Sequence, residues 1–217
     1  MKSISSIIFL MLAIAPVASA QGPGGFGTPA PPPLFADWNE WIFNDTAQEN
    51  FVLVRDGDNI TLRVSGEQGW VQSARQYSNF VLRGEIRFLE ADSDSGIFLR
   101  VEPGTDFIRG WPGDAYQVQI REISVNEGNN PLPLLNLYRH RVVDGRSVYQ
   151  RDRVFNLYTG VGEWQQIEII LKDNFLTASL NGEIVLRATD IENASGYIGF
   201  QSEKGSIEYR NLEIETR

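Results

Sequence analysis

The chain has 217 residues and a formal net charge of −9; 42% are hydrophobic and 11% aromatic, with no cysteine and one histidine, His140. This composition suits one domain with a real core and argues against disorder. It excludes disulfide scaffolds, zinc–thiolate and iron–sulfur sites, cysteine nucleophiles and multi-histidine metal sites, and an acidic chain with no basic stripe makes a poor partner for nucleic acid.

Met1-Lys2 opens the chain with a positive charge, and an apolar stretch runs from Ile4 to Ala15. Pro16 and Ala18-Ser19-Ala20 follow as a small-residue cleavage site. The pattern reads as a secretory signal peptide over 1–20, cut after Ala20. The stretch is shorter than the ~20 residues a membrane span needs. The expected location is secreted or periplasmic, with no membrane span after cleavage. Residues 21–33 are rich in Gly and Pro and carry no charge, as expected of an extended tether. A single domain is expected over 34–217.

From Leu34 onward apolar residues recur with period 2. Ile60, Leu62 and Val64 alternate with polar neighbours, as do Phe80, Leu82, Ile86 and Phe88. Ile97 and Leu99, then Tyr116, Val118 and Ile120, then Ile167, Ile169 and Leu171 repeat the pattern. Leu176 to Leu180 leads into Asn181-Gly182, a two-residue hairpin turn. Two last strands are expected at 196–202 and 206–215, with a bulge near Arg210-Asn211 where the apolar parity slips. The stretch 123–161 breaks the rhythm and reads as a long ordered loop carrying Tyr138, Tyr149, Phe155 and Tyr158. No twelve residues show a helical stripe. The fold class is therefore all-β, an antiparallel sandwich or barrel.

At 77–122 the segments Tyr77-Ser-Asn-Phe-Val-Leu-Arg-Gly-Glu-Ile-Arg87, Asp94-Ser-Gly-Ile-Phe-Leu-Arg100 and Ala115-Tyr-Gln-Val-Gln-Ile120 appear in order. Gly162-Glu-Trp164, Asn181-Gly182, Gly199-Phe-Gln-Ser-Glu203 and Ile207-Glu-Tyr-Arg-Asn-Leu212 follow. This ordered set resembles the 3-keto-disaccharide hydrolase family, from about Leu34 to Arg217. The resemblance implies a jelly-roll β-sandwich of the concanavalin-like lectin/glucanase type. It also implies cleavage of glycosides already oxidised to a ketone at carbon 3. Such a ketone acidifies the proton on carbon 2, so a base can remove it and the enolate can expel the substituent on carbon 1. A carboxylate base and cationic or amide donors for the enolate oxygen suffice. The sequence departs from the family pattern at Asp94, where Asn is usual, at Gln117, where Glu is usual, and at Glu122, where Asp is usual. Leu34-Phe-Ala-Asp-Trp38 also replaces a Gly- and Leu-rich start.

Under this resemblance Glu85 is a candidate base or proton shuttle and Glu203 a second candidate base. Arg100 would bind the enolate oxygen or orient Glu85. Glu85, Arg87, Arg100, Gln117 and Gln119 share the polar parity of three successive strands and crowd one face if those strands share a sheet. The bland alternative is the wet face of any antiparallel sheet. Arg87, Gln117 and Gln119 would bind sugar hydroxyls, Trp111 would stack on a sugar ring, and Tyr138 and His140 would line the rim. Asp92-Ser-Asp-Ser-Gly96 has the look of a calcium loop but lacks the other ligands, and a hairpin turn explains it; no metal is expected. No flavin, nicotinamide or phosphate motif is present, so no cofactor is expected and another protein must perform the oxidation at carbon 3. The expected partner is an oxidised glycoside, and the expected state a monomer. Rival readings are a non-catalytic carbohydrate-binding module of the same fold, favoured by the amide at 117, an adhesive domain, and a two-carboxylate glycosidase.

Overall fold

The computed structural model describes residues 33–43, 48–57, 59–104, 110–123, 134–141, 145–148 and 157–217. The expected signal peptide 1–20, nearly all of the tether, and Tyr149 and Phe155 lie outside the described residues. Among those described, no helix is long and apolar enough to cross a membrane.

Fourteen strands are described: β1 Trp41–Phe43, β2 Phe51–Asp56, β3 Asn59–Ser65, β4 Gly69–Ser73, β5 Phe80–Phe88, β6 Asp94–Val101 and β7 Asp114–Arg121. β8 Leu137–Arg141, β9 Gly145–Val148, β10 Gln165–Lys172, β11 Phe175–Leu180, β12 Glu183–Ala188, β13 Tyr197–Lys204 and β14 Ser206–Thr216 complete them. They form two antiparallel sheets, ordered β1-β4-β13-β6-β7-β8-β9 and β12-β11-β10-β5-β14-β3-β2. We call these the front and back sheets. The architecture is the expected all-β jelly-roll sandwich.

Alternation decides which face each side chain takes. Tyr116, Val118 and Ile120 of β7 enter the core between the sheets, as do Leu82, Ile86 and Phe88 of β5 and Ile167, Ile169 and Leu171 of β10. Asn181 and Gly182 both have positive φ, +50° and +86°, as a tight hairpin turn between β11 and β12 requires. The expected slip in β14 is present: the register with β5 shifts between Arg210 and Glu213, and Asn211 has φ +51°.

Two expectations need correction. The stretch 123–161 is not all loop, because it contributes β8 and β9 to the front sheet. Leu137 and Arg139 occupy one parity of β8, and Arg139 breaks the apolar pattern there. It is buried, stacked 4.3 Å over the Tyr116 ring and paired with Asp114 at 2.5 Å. The second correction concerns Asp92–Gly96. It is not a hairpin turn, because β5 and β6 belong to different sheets and the intervening residues cross between them.

Candidate functional site

The outer face of the front sheet carries side chains of the opposite parity to the core. On β7 these are Ala115, Gln117 and Gln119, on β6 Asp94, Gly96 and Phe98, and on β8 Tyr138 and His140. The register sets Gln117 beside both Phe98 and Tyr138, and Gln119 beside Gly96, which in turn faces Gln201 of β13. Trp70, Phe98, Val101, Trp111 and Ala115 form a second hydrophobic cluster on this face, with Tyr197 packed against it.

Three buried glutamines are wired together here. Gln117 Nε2 donates to Gln119 Oε1 at 2.8 Å and to Gln201 Oε1 at 2.7 Å. Both its N–H groups are then spent, so Gln117 Oε1 must accept the 2.7 Å bond from His140 Nε2. Gln119 Nε2 donates onward to Asp94 Oδ1, and Gln201 Nε2 to Glu203 Oε2 at 2.8 Å. The array therefore runs in one direction, from an imidazole N–H to two carboxyl groups. Buried amides are tolerable only when their polar atoms are satisfied in this way.

Gly96 makes room for it. A Cβ there would lie 2.4 Å from Gln117 Nε2 and 2.7 Å from Gln201 Oε1. Phe98 meets the His140 ring edge-on, with centroids 5.7 Å apart. Asn136 Nδ2 donates to the Tyr138 hydroxyl at 2.8 Å.

The two carboxyl ends differ. Asp94 is 7% exposed, and burial, reinforced by the charge of Glu203, pushes its pKa up to about 7. Arg121 works in the opposite direction from 3.4 Å. Glu203 is exposed. It sits at a bulge where the register steps from Ser202↔Ser95 to Lys204↔Asp94, so it is the extra residue beside Asp94's strand partner. Asp92 is bound by Arg121 and Lys204, which hold its carboxyl below its usual range.

The sequence-predicted residues divide. Gln117, Gln119, His140 and Glu203 meet in the array, and Tyr138 shares its face. Tyr138 and His140 are strand residues buried on the sheet rather than rim residues of a loop. Trp111 is 8% exposed and packs against Phe98, with centroids 6.2 Å apart, instead of standing free.

Glu85 and Arg87 are not on this face. β5 lies in the back sheet, so the core separates them from Gln117, and the one-sheet condition fails. Glu85 accepts from Arg210 at 2.8 Å and from Asn211 at 2.8 Å, and the Arg210 hydrogen bond holds its pKa below the usual range. Arg87 and Arg63 clamp the buried Glu208 from either side, at 2.5 and 2.7 Å. A groove of ≈ 470 Å³ runs over this back face beside Arg83, Glu85, Gln166, Glu168 and Asn211. Its charged groups are largely spent on one another.

Arg100 is 1% exposed. Its guanidinium donates to the carbonyls of Asn193, Ser78 and Asp173. Its φ is +52°, and three steps on β6 match two on β13 between Val101↔Tyr197 and Phe98↔Gly199. This bulge turns it out of the parity its position in β6 predicts, and it staples three loops.

Sequence reasoning missed Asp94 and Gln201 as site members. Both lie inside segments that carry the family resemblance, and their polar character at buried positions is the signal that marks them. Among the described residues no group of three or more His, Cys, Asp or Glu side chains is placed to hold a metal ion.

Comparison with known proteins follows this geometry. A family model described as a 3-keto-alpha-glucoside-1,2-lyase-like domain matches residues 33–215. No curated protein matches the sequence significantly. Among solved structures, a candidate glycosyl hydrolase from Parabacteroides distasonis ATCC 8503 superposes with TM-score 0.62 at 19% identity, covering 85% of this chain and 98% of that one. The carbohydrate-binding module CBM66 from Bacillus subtilis gives TM-score 0.58 at 12% identity, over 82% and 96%. A glycoside hydrolase family 16 endo-glucanase from Bacteroides ovatus gives 0.59 at 12% identity, over 83% and 96%. At these identities the likeness is one of fold.

Proposed function

The chain belongs to the 3-keto-alpha-glucoside-1,2-lyase-like family, and from that premise we propose that it cleaves 3-keto-glycosides on the outer face of its front sheet. One observation carries the reading: a single buried array ends in two carboxyl groups, one exposed and one held near neutrality. An accessible carboxylate to act as base and a carboxyl that keeps its proton near neutrality to act as acid are what the chemistry needs.

Glu203, at the exposed end, takes the proton from carbon 2. The C2–H electrons form the enolate, with the negative charge on the carbon 3 oxygen. That charge returns to break the bond from carbon 1 to the glycosidic oxygen, which leaves with the electron pair and takes a proton from Asp94. Water then adds to carbon 1 of the enone and gives up a proton that restores Asp94, while Glu203 returns its proton to carbon 2, so the sum is hydrolysis. Amide N–H groups of Gln119 and Gln201, held in place by the array, are suited to the developing oxyanion. Arg100 and Glu85 take no part in this scheme. The leader at 1–20 would deliver the activity outside the cytoplasm.

The test uses a 3-keto-glucoside with a chromogenic leaving group, corrected for spontaneous elimination. Release well above background, lost in Glu203→Gln and reduced in Asp94→Asn, supports the reading. A folded protein that releases nothing from several keto-glycosides overturns it.

A further inference from the structure

His140 is the only imidazole in the chain, and it lies at the opposite end of the glutamine array from both carboxyl groups. We propose that His140 is a positioning residue: its Nε2–H fixes all three amides in one orientation and so delivers a hydrogen-bond donor to Asp94 and to Glu203 at once. The proposal rests on the reading above for its catalytic meaning, but its test does not.

The argument is a count of donors and acceptors. If Gln117 turned its amide over, its carbonyl would face the carbonyls of Gln119 and Gln201, and its NH₂ would face His140 Nε2. Two contacts become oxygen against oxygen. The neighbours could relieve this only by turning over too, and their carbonyls would then face the carboxylates of Asp94 and Glu203. The imidazole proton at one end and the two carboxylates at the other therefore demand the same polarity of both arms, and His140 locks it from the Gln117 end. Buried hydrogen bonds strengthen one another along such a chain.

Around His140 stand Ala115 and Gln117 of β7 and Phe98 of β6, with Arg146 its register partner on β9. Around the carboxyl ends the charged groups among the described residues include Arg121 on β7, paired with Asp94 and Asp92, and Lys204 on β13, paired with Asp92.

The experiment is a carboxyl ¹³C titration of Asp94 and Glu203 in the whole protein, in the wild type, His140→Phe and His140→Gln. Phenylalanine removes the N–H, whereas glutamine restores a donor at nearly the same reach. Without the imidazole proton the amides are less firmly held and less polarised as donors, and a weaker donor to a carboxylate favours its protonated form, so both midpoints should rise in His140→Phe, by up to about one pH unit, and return in His140→Gln. In any active preparation the acid limb of kcat/KM should move with them. Equal midpoints in wild type and His140→Phe overturn the proposal. Should His140→Phe not fold, the wild-type imidazole decides: ¹⁵N shifts must show Nε2 protonated throughout, and a neutral Nδ1–H tautomer overturns the relay. A relay without activity on keto-glycosides would leave the proposal standing and remove the functional reading.

Discussion

Gln117 passes a hydrogen bond to Asp94 through one intervening side chain, Gln119, which accepts from the first and donates to the second. A carboxylate at 117 could not donate to both Gln119 and Gln201, so the amide is what makes this array possible.

The array occupies the space above Gly96, where a Cβ would press on Gln117 and Gln201. Gly96→Ala should therefore push the two arms apart. The expected cost is about 1–3 kcal/mol of stability, read from a urea transition, together with a loss of activity larger than that stability loss explains. A variant as active and as stable as wild type would contradict the geometry.

Asp94 makes the stability depend on pH in a definite sense. Its pKa rises from an ordinary carboxyl value to about 7 in the folded protein, chiefly through burial. Between those values the native state holds a proton that the unfolded chain has lost. Its contribution is thus fully present below about pH 4 and fades as pH climbs toward 7. The slope reaches about 1.4 kcal/mol per pH unit, on the order of 4 kcal/mol over the window. Asp94→Asn removes this dependence, so wild type should lose stability relative to the variant from pH 4 to pH 7. Denaturant midpoints of the two proteins across that range check the sign, and parallel curves would refute it.

Arg100 ties Asn193, Ser78 and Asp173 together through their carbonyls. Arg100→Ala strands these acceptors at a buried site. The expected loss is about 3 kcal/mol, a fall in Tm of roughly 6–12 °C for a domain of this size. Below the transition, kcat should stay within a few-fold of wild type, as suits a residue outside the chemistry. Calorimetry and a rate assay at low temperature separate the two effects.

The sequence reveals faces more readily than sheets. Period 2 correctly sends Leu82 and Ile86 inward and Arg83, Glu85 and Arg87 outward, and it does the same for Val118 against Gln117. It carries no sign of which sheet a strand joins, so Glu85 and Gln117 look alike in sequence yet lie on opposite sides of the core. The turn at Asn181-Gly182 and the slip at Asn211 are legible because both depend on local backbone chemistry. The turn of Arg100 is not, because it depends on close packing against another strand's approach. A Cβ at Gly196 would sit 2.4 Å from the Arg100 carbonyl carbon. β8 stays hidden because a cation occupies one of its two parities. Arg139 is accepted there only because Asp114 and the Tyr116 ring are waiting for it.

The placement of β13 and β14 has a consequence for how the chain folds. β13 joins β4 to β6 in the front sheet, and β14 joins β3 to β5 in the back sheet. Until these two late strands arrive, neither sheet is continuous, and four strand edges stand unpaired. Every strand pairing they make spans a long stretch of chain, which places the domain among slow folders with high contact order. Folding therefore waits on residues 197–216, and a nascent chain that lacks them has open edges and no closed core. Loss of these two strands would leave fragments prone to edge-to-edge aggregation.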